Sequence, residues 1–321
     1  MSVTELKIIL SRYSRIFKQV CQSLVIFYHD NNKLSFTRFF LRNYRKRNFY
    51  SVNLTTQSRN DGGGAQIDGE ISVYILCKFL GARYVRRKIS YVDHEGSNGN
   101  SQKILDDWNN IFYPHSDSIS SSNLRRIINL ETEVFLLIQL MFSIIPKIRF
   151  LQDFVSTITV SIPHGNTFIK CNPNILDEYK SEIQLSLSYL RQQDVRGLPQ
   201  IPRNSLAVHV RRGDVNSSDS TRYTSDSEIL KQINFISSMH MIDHIFVFSH
   251  NYVQLEFVDQ LSNCVQLRNL DSIETLCFMA RCDYLLIAKA SSYSFIAALS
   301  SHGRVFVNNE ETRAPSSWHR L

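Results

Sequence analysis

The strongest constraint on the fold is a regular alternation of apolar runs and helical stretches across residues 205–308. Each apolar run is about as long as a buried strand, and the stretch after it has helical periodicity. Strands that alternate with helices in this way form a parallel sheet with helices on both faces. The predicted strands are 205–210, 244–249, 264–267, 283–288 and 304–308, and the predicted helices are 225–238, 252–261, 271–281 and 292–301.

The preceding part of the chain shows the same alternation in a less regular form. A strand at 49–54 leads into a glycine-rich turn, a helix over 66–80 that Gly81 ends, and a strand at 83–87. These elements together make one βαβ unit. Further predicted elements are helices over 101–113, 124–150 and 174–193 and a strand over 157–162.

The length of the chain and one breaker-rich segment indicate two domains. A chain of 321 residues is long enough for two domains. Residues 195–203 contain Gly197, Pro199 and Pro202, which favour an interdomain linker in that segment. We therefore predict an α/β fold with two Rossmann-like, doubly wound domains facing a cleft. The predicted boundaries are an N-terminal arm over 1–48, a first α/β domain over 49–198 and a second α/β domain over 199–321.

Positive charge is concentrated at the N-terminus. Residues 1–50 carry ten basic and two acidic side chains, a net charge of +8, whereas the whole chain carries +7. The arm combines helical periodicity with a basic, aromatic segment, and two interpretations stay open. It lies on an anionic membrane surface, or it packs on the body of the protein with a solvated basic face.

The cysteine pattern and the apolar runs bear on the compartment. Six cysteines are scattered along the chain without a CxxC spacing, which is typical of buried free thiols in a reducing compartment. The N-terminus lacks the features of a secretory signal, and the longest apolar run, 134–145, is too short to span a bilayer as a helix. We therefore expect a cytoplasmic protein, with peripheral membrane contact through the arm as the open alternative.

Two adjacent arginines, Arg211 and Arg212, follow the first predicted strand of the second domain. Doubly wound folds bind ligands at the carboxyl ends of their parallel strands, and guanidinium groups pair well with phosphate oxygens. A surface ion pair with Asp214 is the alternative interpretation of the same spacing.

Three more loops fall at predicted strand ends. Glycines 62–64 precede a helix, so their backbone can approach a phosphate, although a simple tight turn explains them as well. Ser249 ends a strand in a position suited to a ribose or a base edge. After the strand at 283–288, serines cap a helix and can also contact an anion. These serines are Ser291, Ser292 and Ser294.

No metal site is predicted. The chain contains no Asp-X-Asp pair, and its histidines do not have the spacing of known metal-binding motifs. A diphosphate bound here would therefore need arginine as its cation.

These separated segments together resemble those of one enzyme family. Residues His209 to Asp214 read HVRRGD, which is similar to the HxRRxD signature of the α1,2-, α1,6- and protein O-fucosyltransferases. The turn at 62–66 resembles the glycine-rich loop of that family, and residues 291–295 resemble its SSFS segment. The resemblance covers roughly residues 52–308 and is densest over 205–300.

The resemblance implies a GT-B-like fold, GDP-fucose as the donor substrate, inversion at the anomeric carbon and no required metal or other cofactor. It also implies that Arg211 clamps the donor diphosphate while His209 and Asp214 orient the site. His250 stands where the family often has an aspartate, so another sugar nucleotide, such as a xylosyl donor, stays an alternative. The predicted donor-binding residues are Gly63, Gly64, Gln66, His209, Arg212, Asp214, Ser249, Ser291, Ser292 and Ser294.

The acceptor hydroxyl needs a base in such a reaction. Asp219, five residues after Asp214, and His94 in the first domain are the candidates, with a solvated loop as the alternative for each. The predicted catalytic residues are thus Arg211, Asp219 and His94. The expected partners are a sugar nucleotide and a glycan acceptor, with no nucleic acid. A binding module for anionic membranes or nucleic acids, built on the basic arm, is the alternative function.

Overall fold

A computed structural model gives the fold of ten separate stretches of the chain. These stretches are 53–57, 62–93, 101–114, 127–129, 159–162, 166–192, 200–212, 214–249, 255–268 and 270–321. The arm over 1–48, residues 195–199 of the linker predicted over 195–203 and the candidate base His94 lie outside them. The predicted domain boundaries therefore stay predictions.

The first unit, formed by described residues before residue 200, contains a parallel sheet. Its four strands lie in the order β2-β1-β4-β3, and every neighbouring pair is parallel. The strands are β1 (Asn53–Thr56), β2 (Arg83–Tyr84), β3 (Ile127–Asn129) and β4 (Thr159–Ile162). The helices of this unit are α1 (Gly63–Leu80), α2 (Gln102–Ile111), α3 (Asn166–Cys171), α4 (Ile175–Glu178), α5 (Lys180–Ser186) and α6 (Tyr189–Gln192).

The second unit, formed by residues from 200 onward, contains a larger parallel sheet in the order β10-β9-β8-β5-β6-β7. Counted from β5, this is the strand order of a Rossmann fold, in which the direction of winding reverses between β5 and β8. The strands are β5 (Ser205–His209), β6 (His244–Phe248), β7 (Cys264–Leu267), β8 (Tyr284–Leu286), β9 (Arg304–Val307) and β10 (His319–Arg320). The helices are α7 (Asp226–Met239), α8 (Ser272–Arg281) and α9 (Ser292–Ser300).

The helices of the second unit begin where side chains cap them. Ser225 accepts a hydrogen bond from the backbone N–H of Glu228 at the start of α7. Asp271 caps α8 through the N–H of Ile273 at 2.7 Å, and Ser291 caps α9 through the N–H of Ser294 at 3.4 Å. Each side chain satisfies a backbone donor that has no partner within the helix, which fixes where the helix starts.

Helix α1 joins the two units. Fifteen of its eighteen residues are buried, as expected for a helix that is apolar on all sides. It packs on β1 and α3 of the first unit and on α9 of the second. Leu54 and Ile71 therefore belong to the same buried cluster as Phe278 and Phe295, so one apolar core extends across both units. A second cluster, around Val208, covers the other face of the large sheet.

The predicted α/β fold with two parallel sheets is confirmed, with differences at particular elements. Residues 127–129 form a strand inside the predicted helix 124–150, because a short apolar run fits either structure. The predicted helix 174–193 is divided into α4, α5 and α6, and the predicted helix 252–261 is a 3-10 turn over Glu256–Gln260. Strand β10 was not predicted, since two residues carry no periodicity.

Two further findings concern the described residues. Cys77, Cys277 and Cys282 are buried free thiols and Cys264 is a half-buried one, as the spacing predicts. Among the helices of the ten described stretches, none has the length and hydropathy that crossing a bilayer requires.

Candidate functional site

The candidate site lies at the carboxyl edge of the second sheet, between the loops that follow β5 and β8. Open parallel sheets bind ligands at the point where the winding reverses, because the two loops diverge there and leave a crevice. Arg211 follows β5 and its Nη1 donates to the backbone carbonyl of Ala290, which follows β8, at 2.9 Å. A cavity at this point is lined by His209, Arg211 and Ala288, among others. The structure therefore places Arg211 where the sequence predicts a ligand.

Asp214 holds the Arg211 guanidinium in one orientation. Arg211 Nε donates to Oδ1 at 3.3 Å and Nη2 donates to Oδ2 at 2.6 Å, while the arginine side chain is 22% exposed. A guanidinium has five N–H donors, and the bonds to Asp214 and Ala290 use three of them. Among the described residues, one N–H on each terminal nitrogen has no partner. Asp214 thus fixes the Arg211 side chain, and the part of both residues in donor binding stays a prediction.

Arg222 is a component of the site that sequence reasoning missed. Its Nη2 donates to Asp214 at 3.0 Å and its Nη1 lies 3.8 Å from Asp219. Lys289 donates to the carbonyl of Ser220 at 2.9 Å and so ties the same loop to the end of β8. The sequence signal for this role was the short spacing between the acidic residues at 214 and 219 and the basic residue at 222. Ion pairs between residues this close in the chain fix the conformation of a loop.

Asp219 lies in this loop as a structural carboxylate. Its Oδ1 accepts a hydrogen bond from Thr221 at 2.6 Å and its backbone carbonyl accepts from Tyr223 at 2.8 Å. Its side chain lines neither of the two cavities described in this article. The role of Asp219 as a base therefore stays a prediction, and its observed contacts stabilise the turn.

Arg212 lines the same cavity as Arg211, and its guanidinium is held by the loop after β5 and the start of α7. Its Nη2 donates to Asp226 at 2.6 Å and to the carbonyl of Thr224 at 2.8 Å, and its guanidinium stacks on Tyr223 at 4.2 Å. The side chain is 9% exposed. These contacts fasten the loop to the start of α7, so the observed role of Arg212 is structural. Donor contact by Arg212 stays a prediction.

His209 is neutral and faces the cavity. Burial, reinforced by the charge of Arg211, lowers its pKa to about 4. Its Nδ1 is buried and has no hydrogen-bond partner among the described residues, and its ring lies 5.5 Å from that of Tyr293. A buried polar atom without a partner costs free energy, which a ligand or water that pairs with it recovers.

Two more hydroxyls with this property lie along the same edge. Ser249 Oγ, directly after β6, and Ser272 Oγ, at the start of α8, are buried and lack a partner among the described residues. Tyr293 connects Ser272 to His209, because its hydroxyl donates to the carbonyl of Ser272 and its ring lies beside that of His209. The ends of β5 and β6 and the start of α8 thus present three polar atoms that have no hydrogen-bond partner within the ten described stretches.

The three predicted serines at α9 have partners within the protein. Ser291 caps the helix, and Ser294 Oγ accepts from the N–H of Ala288 at 3.3 Å while it is fully buried. Ser292 Oγ donates to Asp68 at 2.7 Å across the boundary between the units. The capping interpretation is therefore confirmed for Ser291, and phosphate contact by these hydroxyls stays a prediction.

Gly63 and Gly64 lie inside the first turn of α1, and Gly62 is the N-cap that precedes it. Helix α1 starts at Gly63 because the carbonyl of Gly62 accepts from the N–H of Ala65 at 2.9 Å. A Cβ on Gly63 would collide with the ring of Trp108, and one on Gly64 would lie 2.8 Å from the Cα of Tyr293. Both glycines thus permit close packing, and their approach to a phosphate stays a prediction.

Gln66, also predicted to bind the donor, lines a different cavity. Its Nε2 donates to the carbonyl of Tyr91 at 2.7 Å. That cavity opens at the carboxyl edge of the first sheet and is lined by Thr56, Gln66, Glu70 and Ile162, among others. The structure therefore separates Gln66 from the cavity at Arg211.

A buried ionic cluster that the sequence analysis missed joins the two units. Arg313 Nη1 donates to Asp68 at 2.7 Å, and its Nε and Nη2 donate to Glu311 at 3.0 and 3.2 Å. Asp68 is 1% exposed and the guanidinium stacks on Phe295 at 4.3 Å. Two acidic residues in an otherwise apolar helix, Asp68 and Glu70, were the signal in the sequence, since buried carboxylates need partners.

The described residues contain no cluster of three or more histidine, cysteine or acidic side chains that could hold a metal ion. Arg211, Arg222 and Lys289 surround the loop after β5.

Comparisons with known proteins returned solved structures only. No protein-family model and no curated protein sequence matches the chain. The chain is similar to POFUT1 in complex with GDP, at 11% identity over 80% of this chain and 97% of that one, with a TM-score of 0.45. It is also similar to POFUT1 in complex with GDP-fucose, at 11% identity over 86% of this chain and 99% of that one, with a TM-score of 0.42. The similarity to the fucosyltransferase NodZ from Bradyrhizobium has 13% identity over 81% of this chain and 95% of that one, with a TM-score of 0.38.

Proposed function

We propose that the chain is a glycosyltransferase that binds a sugar nucleotide at the carboxyl edge of the second sheet. The observation that carries the proposal is the position of Arg211 at the reversal point between β5 and β8. There its guanidinium is fixed by Asp214 and Ala290 and keeps one N–H donor on each terminal nitrogen. That arrangement suits the oxygens of a diphosphate.

A fixed guanidinium serves the reaction through the charge that develops as the glycosidic bond breaks. The leaving nucleoside diphosphate gains negative charge in the transition state, so a cation oriented in advance stabilises the transition state more than the bound donor. The rigidity of Arg211 therefore matters as much as its charge. Asp214 contributes by restricting the arginine before the donor arrives.

The nucleoside half of the donor would lie over the partnerless atoms on the same edge. His209 Nδ1, Ser249 Oγ and Ser272 Oγ have unused hydrogen-bonding capacity, and neutral groups of this kind recognise ribose hydroxyls and base edges. Because His209 stays neutral, it adds no charge next to Arg211. These atoms support nucleotide binding without defining the base.

The finer features of the proposal come from the sequence resemblance. GDP-fucose as the donor, a glycan as the acceptor, inversion at the anomeric carbon and an arginine in place of a metal ion all belong to it. Contact of residues 1–48 with an anionic membrane, and a cytoplasmic location, are separate proposals that rest on the charge and cysteine patterns.

Thermal stabilisation of the full chain by GDP, UDP and GDP-fucose tests the proposal. A nucleotide that binds only the folded chain raises its melting temperature by mass action. We expect GDP to stabilise the wild type in the presence of EDTA, and Arg211→Ala to remove that stabilisation while the protein stays folded. Arg203→Ala, at an exposed arginine of the same unit, is the matched control. A rise in melting temperature with UDP alone would indicate a donor other than GDP-fucose. The absence of a rise with any of the nucleotides would overturn the proposal.

A further inference from the structure

The turn between β8 and α9 is held from two directions, and one of them is the other unit. Arg211 Nη1 donates to the carbonyl of Ala290 at 2.9 Å, so the middle of the turn contacts the candidate donor site. Ser292 Oγ, two residues later, donates to Asp68 Oδ2 on α1 at 2.7 Å. The turn therefore lies between the arginine of the donor site and a carboxylate of the first unit.

The backbone of this turn needs contacts that hold it in place. Ala290 has a φ of 49°, in the left-handed region, where a Cβ is unfavourable. Such a conformation persists only where the surrounding structure holds it, and it occurs often at ligand sites. The carbonyl of Ala290 is a hydrogen-bond partner of Arg211. A turn that relaxed would therefore remove one of the contacts that orient the guanidinium.

Asp68 is a rigid anchor for the turn. Its side chain is 1% exposed, and its Oδ2 also accepts a hydrogen bond from Arg313 Nη1 at 2.7 Å. Arg313 Nη1 lies 3.5 Å from Ser292 Oγ, so the hydroxyl accepts from the guanidinium and donates to the carboxylate. Hydrogen bonds to buried charged groups are stronger than those between neutral groups. The buried ion pair thus fixes the Ser292 hydroxyl.

Helix α1 contacts the start of α9 at a second point. Gly64, one helical turn before Asp68, lies on the same side of α1 and packs against the backbone of Tyr293. Tyr293 follows Ser292 directly in the chain. Two contacts four residues apart on one side of α1 fix the start of α9 more firmly than a single contact does.

We propose that Asp68 is a positioning residue for the donor site. It acts on Arg211 through the turn that contains Ala290 and Ser292. While the Ser292 hydroxyl is held, the turn presents the Ala290 carbonyl to Arg211 before the donor arrives, so less freedom is lost on binding. Release of the hydroxyl leaves the charge of Arg211 intact and its direction less well defined. The proposal rests on the proposed transferase function.

The affinity for GDP, measured by titration calorimetry on the full chain with EDTA, tests the proposal. We expect Asp68→Asn and Ser292→Ala each to weaken GDP binding by about 5- to 30-fold. Their effects should not add in the double variant, because both remove the same link. The matched control is Ser300→Ala, at the other end of α9. The Ser300 hydroxyl is buried and donates to the carbonyl of Leu187 in the first unit at 3.2 Å, so its loss should leave GDP affinity unchanged.

The pattern across these variants separates positioning from two simpler roles. If Ser292 only contacts the donor directly, Asp68→Asn binds GDP as the wild type does, and the proposal is overturned. If the contact serves stability alone, Asp68→Asn and Ser292→Ala lower the melting temperature, as Ser300→Ala does, and GDP affinity stays unchanged. That result would overturn the proposal as well. Additive losses in the double variant would contradict a route through Ser292.

Hydrogen exchange of the Arg211 Nε–H tests the positioning without any nucleotide. It is followed by NMR of the full chain with ¹⁵N-labelled arginine, and Arg211→Lys identifies the signal by its absence. We expect exchange to be several-fold faster in Asp68→Asn and Ser292→Ala than in the wild type and Ser300→Ala. Equal exchange rates in all of these proteins would contradict the positioning role.

The two measurements fail in different ways. If GDP does not bind the wild type, the transferase proposal is what fails, and the exchange rates alone then decide whether Asp68 positions Arg211. Ser292→Ala leaves the ion pair of Asp68 and Arg313 in place. Its exchange rate therefore decides the proposal even where Asp68→Asn does not fold.

Discussion

Arg211 is held by Asp214 on one side and by the carbonyl of Ala290 on the other, and the two contacts together use three donors of its planar fork. A lysine retains the charge but offers a single ammonium on a flexible chain. It can pair with Asp214 or approach Ala290, and it loses the fixed direction of the guanidinium. The geometry of this residue therefore matters beyond its charge.

We accordingly expect Arg211→Lys to be a poor enzyme. Loss of one fixed donor to developing charge typically costs on the order of 100- to 1000-fold in turnover. Steady-state hydrolysis of GDP-fucose should show this loss in kcat, with a smaller change in KM. An Arg211→Lys variant with kcat within a few-fold of the wild type would show that charge alone suffices.

His209 makes the stability of the protein depend on pH. Its pKa is about 4 in the folded chain and 6.5 in the unfolded chain, so the unfolded chain binds the proton more readily between these values. Stability contributed by neutral His209 is present above pH 6.5 and is lost as the pH falls towards 4, with a slope of up to about 1.4 kcal/mol per pH unit. His209→Asn should remove that slope, which urea unfolding between pH 4.5 and 7.5 measures. Parallel curves for the two proteins would contradict a depressed pKa.

Glu70 acts on stability in the opposite direction. Its pKa rises from 4.5 in the unfolded chain to about 7 in the folded chain, so the folded chain binds the proton more readily in this interval. Stability therefore falls as the pH rises from 4.5 to 7. Glu70→Gln keeps the shape but cannot ionise, and its advantage over the wild type in urea unfolding should grow across this interval. A constant difference between pH 5 and 8 would show that Glu70 titrates normally.

At the scale of secondary structure, the contact between α1 and α9 depends on one missing side chain. An alanine in a helix is normally more stable than a glycine by about 1 kcal/mol. At Gly64, however, a Cβ would lie 2.8 Å from the Cα and 3.0 Å from the N of Tyr293, which are backbone atoms and cannot move freely. The helix propensity and the packing therefore have opposite signs here.

We expect packing to dominate, so that Gly64→Ala destabilises the chain by about 1–3 kcal/mol. Because α9 begins beside the donor site, GDP should also stabilise this variant less than the wild type. Thermal unfolding with and without GDP measures both effects. A Gly64→Ala protein more stable than the wild type would mean that the two helices are not in this contact.

Most elements of the second unit were predictable, because they combine an apolar run or helical periodicity with a clear boundary. Strand β7 matches the predicted bounds, and α9 starts as predicted at Ser292, after the capping residue Ser291. The strand at 127–129 and the 3-10 turn at 256–260 were predicted wrongly, because short apolar runs and imperfect helical periodicity do not distinguish these structures. Tertiary packing decides such segments.

The position of a site residue was predictable from the sequence only where a charged residue directly follows a strand. Arg211 follows a buried strand, and that position predicts where the structure places it, beside the cavity at the reversal point; its role stays a prediction. Arg313 lies 245 residues from Asp68 in the chain, and no local pattern links them. From the sequence, the glycines at 63 and 64 indicate that another group approaches the backbone closely. Only the structure shows that these groups are Trp108 and Tyr293.

At the scale of the whole molecule, the two units are joined by a common core and by the buried cluster of Asp68, Glu311 and Arg313. Removing one member of a buried ion pair leaves an uncompensated charge, which costs about 3–5 kcal/mol. The units should therefore unfold together in one transition. This coupling also fixes the position of the first unit relative to the donor site.

A double-mutant cycle tests the coupling. We expect Arg313→Met to destabilise the chain by about 3–5 kcal/mol, and Asp68→Asn to cost much less in that background than alone. Urea unfolding followed by both fluorescence and circular dichroism should give coincident transitions for each protein. Additive costs, or separate transitions in the wild type, would show that the cluster does not join the units.

The structure of the full chain with bound GDP tests the central claim most directly. The diphosphate should lie between the ends of β5 and β8, with its oxygens about 2.7–3.1 Å from the terminal nitrogens of Arg211. The nucleoside should extend along the edge towards His209 and Ser249. A diphosphate bound at the first sheet, or one that leaves Arg211 without contact, would contradict the account.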